Sequence, residues 1–446
     1  MVEHLEADRL SRAGDQEMNK KNLAVHGFIL LTAIVARLYF VPSHQEFRGD
    51  EKDYHVLACS LAEGKSYRQE GGDLGEAFLK GERDTYSRPP FYPLFIAWIY
   101  RLFGIGNLKA VYLFQVLLGA LVCSLVYAMT KPLFGKRAAF LAAVLTAVNP
   151  SLASSSSRLL TESLFTFCLV AAFFFLQRKT KAALIFAGIF LSLTVLTKGV
   201  ALFLPFTVAG IFIARNRWEG VSQGAILIGV CFLTIVPLVI RNYREYHTLI
   251  PVSTQGGYAF YNSYHPEKGK IFGTNVKDER TLFADRLGSE TEKSNYLFQK
   301  TLEDIRKNPL STLRLELLKF LYFWVPFDWE ILGRGRYHLI YGFIFPFFIL
   351  GMAWAEKDRL LLAVPVFYFL AMALIFYGSP RFRLPVEPFI IIFGAFGLLE
   401  VFRRIPRRSL GWMCVATLLV IHAGLAISTG SFKRYLANSL HSVGLW

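Results

Sequence analysis

The 446-residue sequence has little that reacts and little that binds nucleotides. It contains five cysteines, and Cys123, Cys168, Cys231 and Cys414 lie inside apolar runs. Only Cys59 falls in a polar stretch, which excludes a disulfide framework and a cysteine metal site. The histidines show no metal-ligand spacing, and no Ser-His-Asp order is apparent. No Gly-rich phosphate loop, dinucleotide fingerprint or Walker pattern occurs, so a nucleotide cofactor is not expected. Charged residues are also scarce, at 18%.

Apolar residues fill the space left by these absences. Hydrophobic side chains make up 54% of the chain, with 41 phenylalanines. The mean hydropathy is +0.38. Repeated apolar runs of this kind read as membrane-spanning helices. Candidate spans are 24–42, 109–130, 137–152, 163–178, 182–197, 200–214, 222–240, 337–354, 359–377, 385–402 and 410–428. The first ends in Phe40-Val41-Pro42 without a small-residue cleavage site, so it is expected to be a retained helix.

The net charge is +16. In a soluble protein that would suggest nucleic acid. Here the Lys and Arg residues cluster between apolar runs, where orientation in the membrane and anionic lipid account for them. With residues 1–23 as a cytoplasmic tail, five basic turns fall on the inner side. They are Lys131/Lys136/Arg137, Arg178/Lys179/Lys181, Arg215/Arg217, Lys357/Arg359 and Arg403/Arg404/Arg407/Arg408. Two long polar segments, 43–108 and 241–336, then lie outside, and 429–446 forms a short tail. Residues 89–104 and 312–327 are apolar, and are expected to lie in the outer interface. If both crossed, thirteen spans would result and the intervening basic turns would face outward. The expectation is thus an all-α polytopic membrane protein of about 11–13 helices, its transmembrane domain covering 24–428.

The chemistry is expected on the outer side. Asp50-Glu51-Lys52-Asp53-Tyr54 follows the first span. A carboxylate there could act as general base, or simply begin a helix. Glu162, in RLLTESLF, could be a second carboxylate that binds a metal ion or orients an acceptor, or could merely suit a helix N-terminus. Arg88 projects from the stiff Arg88-Pro89-Pro90 segment and suits paired contacts with phosphate, or could simply snorkel to the membrane interface. Arg381 and Arg383, in SPRFRLPVEPF, form a second candidate phosphate clamp, with Glu387 as a possible partner. Arg241 and Arg244 form a third. Lys198, in LTKGV, reads as a structural cation.

Taken in order, GDEKDYHVLA, TYSRPPFYPLFIAWIYRLFG, LLTESLF, RNYREYHTLIPVSTQGGYAFYNSYHP and SPRFRLPVEPFIIIFGAFGL resemble bacterial membrane glycosyltransferases. The group is the protein O-mannosyltransferase/aminoarabinose transferase superfamily, with the C-type glycosyltransferase fold. The resemblance runs from about residue 24 to 402. It implies a sugar donor carried on a polyprenyl phosphate, and transfer on the extracytoplasmic face of the plasma membrane to a glycan, lipid or protein acceptor. It places Asp50 at the base position with Glu51 beside it, and Tyr54 at the usual tyrosine position. Arg88 matches the basic residue that contacts lipid phosphate, and Glu162 a second acidic position. Asp50 and Glu162 are also the candidates for a divalent metal. Asp53 has no clear counterpart and is grouped with the substrate-binding candidates Tyr54, Arg88, Arg241, Arg381 and Arg383. The chain ends near its last helix, where larger relatives carry an outer domain. A lipid-linked saccharide flippase and an O-antigen polymerase or ligase are the alternatives.

Overall fold

A computed structural model describes residues 22–42, 47, 50–65, 67, 88–178, 180–265, 276–328, 336–405 and 408–427. Residues 1–21 and 428–446, which hold nearly all of the expected tails 1–23 and 429–446, and residues 68–87 lie outside the described residues. The chain is almost entirely helical. In order it forms α1 (Asn22–Leu38), α2 (Asp50–Ala62), α3 (Phe91–Phe103), α4 (Leu108–Ala147), α5 (Pro150–Ser155), α6 (Glu162–Leu176), α7 (Lys181–Thr197) and α8 (Leu204–Tyr246). There follow α9 (Gln255–Tyr264), α10 (Glu279–Ala284), α11 (Glu290–Lys307), α12 (Pro309–Trp324), α13 (Leu339–Trp354), α14 (Val364–Ile375), α15 (Pro380–Arg383), α16 (Glu387–Arg404) and α17 (Arg408–Ile427). Between α12 and α13, β1 (Phe327–Asp328) pairs antiparallel with β2 (Arg336–Tyr337), forming the one sheet among the described residues.

Two very long helices each contain a pair of expected spans. In α4, Gly135 breaks the helix at φ 83°, a conformation that glycine adopts without steric cost. Cys123 and Tyr127 before the break pack with Ala139, Ala143 and Ala147 after it, so the two arms fold back on each other. In α8 the break is at Arg217, φ 44°. A Cβ on Gly220 would lie 2.0 Å from the Phe212 carbonyl oxygen, so glycine permits this tight return. The expected spans 109–130 and 137–152, and likewise 200–214 and 222–240, are therefore separate arms of hairpins.

The core is built around α16, buried along most of its length. It packs on α13 through glycines. A Cβ on Gly397 would lie 2.1 Å from the Phe347 oxygen, and one on Gly351 2.0 Å from the Phe393 oxygen. Small residues permit this close approach where lipid offers no hydrophobic driving force between helices.

The segments expected to lie in the interface are helices with one apolar face outward. Along α3, Tyr92, Ile96, Ile99 and Tyr100 are buried, while Leu94, Trp98 and Leu102 are exposed. Along α12, Leu310, Leu313, Leu317 and Leu321 are exposed, a helical spacing that matches an amphipathic element. The polar segment 241–336 also carries α9 to α11. Ser289 caps α11 and Asp278 caps α10, which explains why this charged sequence folds into helices. At the end of the bundle away from Asp50, basic turns converge. Arg215 donates to the Lys357 oxygen at 2.8 Å, and Arg359 lies over Phe134 and Phe396.

Candidate active site

Asp50 begins α2, with Glu51 and Asp53 in the same first turn, where acidic groups complement the helix dipole. Two arginines reach Asp50, one at each carboxylate oxygen. Arg88 donates through Nη2 to Asp50 Oδ1 at 2.6 Å and to Asp53 Oδ2 at 2.9 Å. Arg381 donates through Nη1 to Asp50 Oδ2 at 3.2 Å. Its Nε donates to Glu162 Oε1 at 2.6 Å. Lys198 approaches the same Glu162 oxygen at 3.2 Å. Five elements thus meet: α2, the strut before α3, the start of α6, the end of α7, and α15.

Local sequence explains each placement. Pro89 and Pro90 follow Arg88 and precede α3. Pro380 opens α15, and Ser379 Oγ accepts the Arg381 backbone N–H at 3.2 Å. Lys198 caps α7 in an extended conformation, its own N–H donating to the Thr194 oxygen at 3.0 Å. Glu162 opens α6, fully buried, and its Oε2 has no hydrogen-bond partner among the described residues.

The charges shape the Asp50 carboxyl. Burial opposes its ionisation, but Arg88 and Arg381 outweigh burial and hold it well below the usual carboxylate range. Arg88 is likewise held protonated: burial works against its charge, but the Asp50 and Asp53 carboxylates overcome it. Beneath Arg88 lies the Tyr54 ring, 5.5 Å from the guanidinium carbon. Burial pushes the Tyr54 hydroxyl up to about 12, so it stays protonated at neutral pH. The Tyr54 ring meets Tyr92 edge-on at 4.9 Å.

The other sequence candidates divide. Glu51 is turned to Arg158, whose Nε donates to its Oε1 at 2.9 Å. Arg241 stands 5.8 Å from the Tyr67 ring, and the Tyr67 hydroxyl donates to the Arg88 carbonyl oxygen at 3.0 Å. Arg241 therefore borders the cluster through Tyr67, while Arg244 is exposed. Arg383 lies apart from Asp50. Fully buried, it donates to Glu387 at 3.2 Å and to the Phe323 and Val325 oxygens at 2.7 Å each. Its guanidinium also covers the Tyr341 ring at 3.6 Å, so its contacts lock α15 to the core.

Sequence reasoning placed Lys198 on the outer side but read it as structural, because a lone lysine beside a glycine carries no pairing signal. It also missed Gln115, which is fully buried. Gln115 accepts from the Tyr92 hydroxyl at 2.8 Å and donates to the Ser156 and Arg158 oxygens at 3.1 and 2.9 Å. It ties α3 to the turn that carries Arg158.

Asp50 and Glu162 do not compose a divalent-metal site as placed. A guanidinium lies between them, and Arg88 and Lys198 add two more cations. Hard cations need converging oxygen ligands rather than cationic neighbours. Among the described residues no group of three or more His, Cys, Asp or Glu side chains could hold a metal ion.

Residues 87–240 match the family model described as dolichyl-phosphate-mannose-protein mannosyltransferase. No curated protein matches by sequence. Among solved structures, the archaeal oligosaccharyltransferase AglB from Archaeoglobus fulgidus, in complex with an inhibitory peptide and a dolichol-phosphate, is similar at TM-score 0.52 and 17% identity. The match covers 92% of this chain and 54% of that one, so this chain spans about half the archaeal enzyme's length. The S. cerevisiae protein O-mannosyltransferase Pmt1-Pmt2 complex bound to the sugar donor is similar at TM-score 0.54 and 12% identity, covering 92% of this chain and 90% of that one. The chain has the fold of the C-type membrane glycosyltransferases.

Proposed function

We propose that this chain, a membrane protein with the C-type glycosyltransferase fold, transfers a sugar from a polyprenyl-phosphate donor to a glycan, lipid or protein acceptor on the extracytoplasmic face of the plasma membrane. The observation that carries the reading is the bridge from Asp50 through Arg381 to Glu162, flanked by Arg88 and Lys198. Such a group of fixed cations can hold a phosphate and take up the charge that grows on it as it leaves. A fixed carboxylate beside it can accept a proton.

The chemistry follows from those parts. An acceptor hydroxyl or amine attacks the anomeric carbon of the donor. The new bond forms as the bond from that carbon to the phosphate oxygen breaks, and the electron pair leaves with the phosphate. Asp50 takes the acceptor's proton. A single displacement inverts the configuration at the sugar carbon. No metal is needed in this scheme, because cationic side chains already oppose the leaving charge. Free Asp50 is a weak base while both arginines hold it. Donor phosphate competes with Asp50 for the Arg381 guanidinium, so its arrival raises the basicity of Asp50 just when a base is needed.

The test is transfer from labelled polyprenyl-phosphate sugars in membranes, comparing the protein with its Asp50→Asn variant. Asp50→Asn is expected to stay folded and to lose transfer by about a thousandfold or more, within the range seen when a proton-transfer group is removed together with its charge. Full activity in the folded variant would sink the assignment of Asp50. Movement of the label across the bilayer without covalent transfer would instead favour a flippase.

A further inference from the structure

The cluster is not electrically uniform. At the Asp50 end two guanidiniums meet two carboxylates: Arg88 reaches Asp50 and Asp53 at 2.6 and 2.9 Å, and Arg381 reaches Asp50 at 3.2 Å. At the Glu162 end the cations outnumber the carboxylates. Two cations, Arg381 and Lys198, converge on one carboxylate oxygen at 2.6 and 3.2 Å. An incoming anion gains most where cationic charge exceeds anionic charge.

Lys198 has donors to spare at that end. An ammonium carries three N–H groups. Glu162 is its one hydrogen-bond acceptor among the described residues. The rest of its setting is aromatic: Nζ lies 5.1 Å from the Phe382 ring and 5.9 Å from the Phe165 ring. These rings hold the ammonium in place without using up its hydrogen bonds. The side chain keeps 20% exposure, equal to that of Arg381, whereas Glu162 behind them has none. Two partly exposed cations therefore flank a fully buried carboxylate.

We propose that the donor phosphate binds at the Lys198–Arg381 end, with Lys198 as a direct phosphate ligand, while Arg88 chiefly orients Asp50. This rests on the reading of the protein as a polyprenyl-phosphate-dependent transferase. It divides one cluster into a leaving-group end at Lys198 and a proton-accepting end at Asp50, with Arg381 spanning both. Glu162 fixes the two phosphate-binding cations side by side. Their mutual repulsion is offset before any ligand arrives, so the site is preorganised.

The experiment measures binding of undecaprenyl phosphate to the full chain in nanodiscs by native mass spectrometry, with undecaprenol as the uncharged control. The protein is expected to prefer the phosphate form. If it shows no preference, the transferase reading itself fails, separately from the role of Lys198. Given a preference, Lys198→Met is expected to reduce it about tenfold or more, and Lys198→Arg to retain most of it. A folded Lys198→Met with undiminished preference overturns the proposal. So does full recovery in Lys198→Met combined with Glu162→Gln, since Lys198 would then merely neutralise Glu162. Should Lys198→Met lose its melting transition, Lys198→Gln replaces it with the same expectation.

Discussion

Arg381 joins Asp50 to Glu162 with a single guanidinium, Nη1 on one carboxylate and Nε on the other. The two acids lie in different helices, α2 and α6, and the arginine comes from a third, α15. A planar fork with several donors can span two carboxylates, whereas a lysine ammonium is a compact point charge. Arg381→Lys is therefore expected to keep the local charge and lose the bridge. Transfer activity should fall about a hundredfold or more, the usual scale for removing one oriented donor at a developing charge. A steady-state assay in membranes checks this, and near-normal kcat/KM for Arg381→Lys would show that charge alone suffices.

The depressed Asp50 carboxyl has a definite pH signature. Its folded value lies below the unfolded value of about 3.9. The ion pairs therefore contribute stability that is fully present above the unfolded value and lost as pH falls toward the folded one. Between pH 5 and 8 the melting temperature should owe nothing to Asp50 titration. Below about pH 4 the protein should lose stability more steeply than Asp50→Asn does. Melting curves in detergent across this range test the expectation, and parallel acid profiles for the two proteins would remove the ion pairs as its cause. The kcat/KM profile reports groups of the free enzyme, so it should show no acid limb from Asp50 between pH 5 and 8.

Much of this arrangement was legible in the sequence, because hydropathy marks helices and charge at their ends marks candidates. Asp50, Arg88, Glu162 and Arg381 all stood out as charges next to apolar runs, and the structure brings these four together. What the sequence could not express was pairing. Arg381 and Arg383 are two residues apart and chemically identical, yet one faces Asp50 and the other is sunk against Phe323 and Val325. Only the turn of α15 separates them. Lys198 was underrated for the same reason, since its partner Glu162 lies on a neighbouring helix. The hairpin turns at Gly135 and Arg217 were located by their charges, but their tightness depends on Gly220 and the Phe212 backbone.

Chelation offers a third test. The Arg381 guanidinium lies between Asp50 and Glu162, so a divalent ion bridging those carboxylates would have to displace it against the charge of Arg88 and Lys198. Transfer activity is expected to be unchanged by EDTA and unchanged by added Mg²⁺ or Mn²⁺. Loss of activity in EDTA, restored by one metal ion, would overturn the assignment of the leaving-group charge to side chains.

The final prediction concerns the scaffold and the first helix. Arg37, near the end of α1, is almost fully buried. It donates to the Ala147 oxygen at 3.2 Å and to Cys123 Sγ at 3.7 Å, so it touches both arms of the α4 hairpin. The Ala147 oxygen belongs to the last turn of α4, where carbonyls lack helical partners and a cation is favoured. This fit depends on Gly119. A Cβ there would lie 2.2 Å from Arg37 Nε and 3.0 Å from its Cδ, too close for either side to remain in place. Gly119→Ala is expected to push the guanidinium from its seat and cost about 1–3 kcal/mol, the usual range for overpacking. Gly229, with nothing among the described residues within 4 Å of an added Cβ, supplies the control: Gly229→Ala should leave the melting temperature the same or raise it slightly. Arg37→Met in the Gly119→Ala background should recover part of the loss, because a flexible thioether can move aside from the new methyl group. Detergent melting of the three variants and the parent settles the order. If Gly119→Ala melts with the parent, α1 is not held to the hairpin by this arginine.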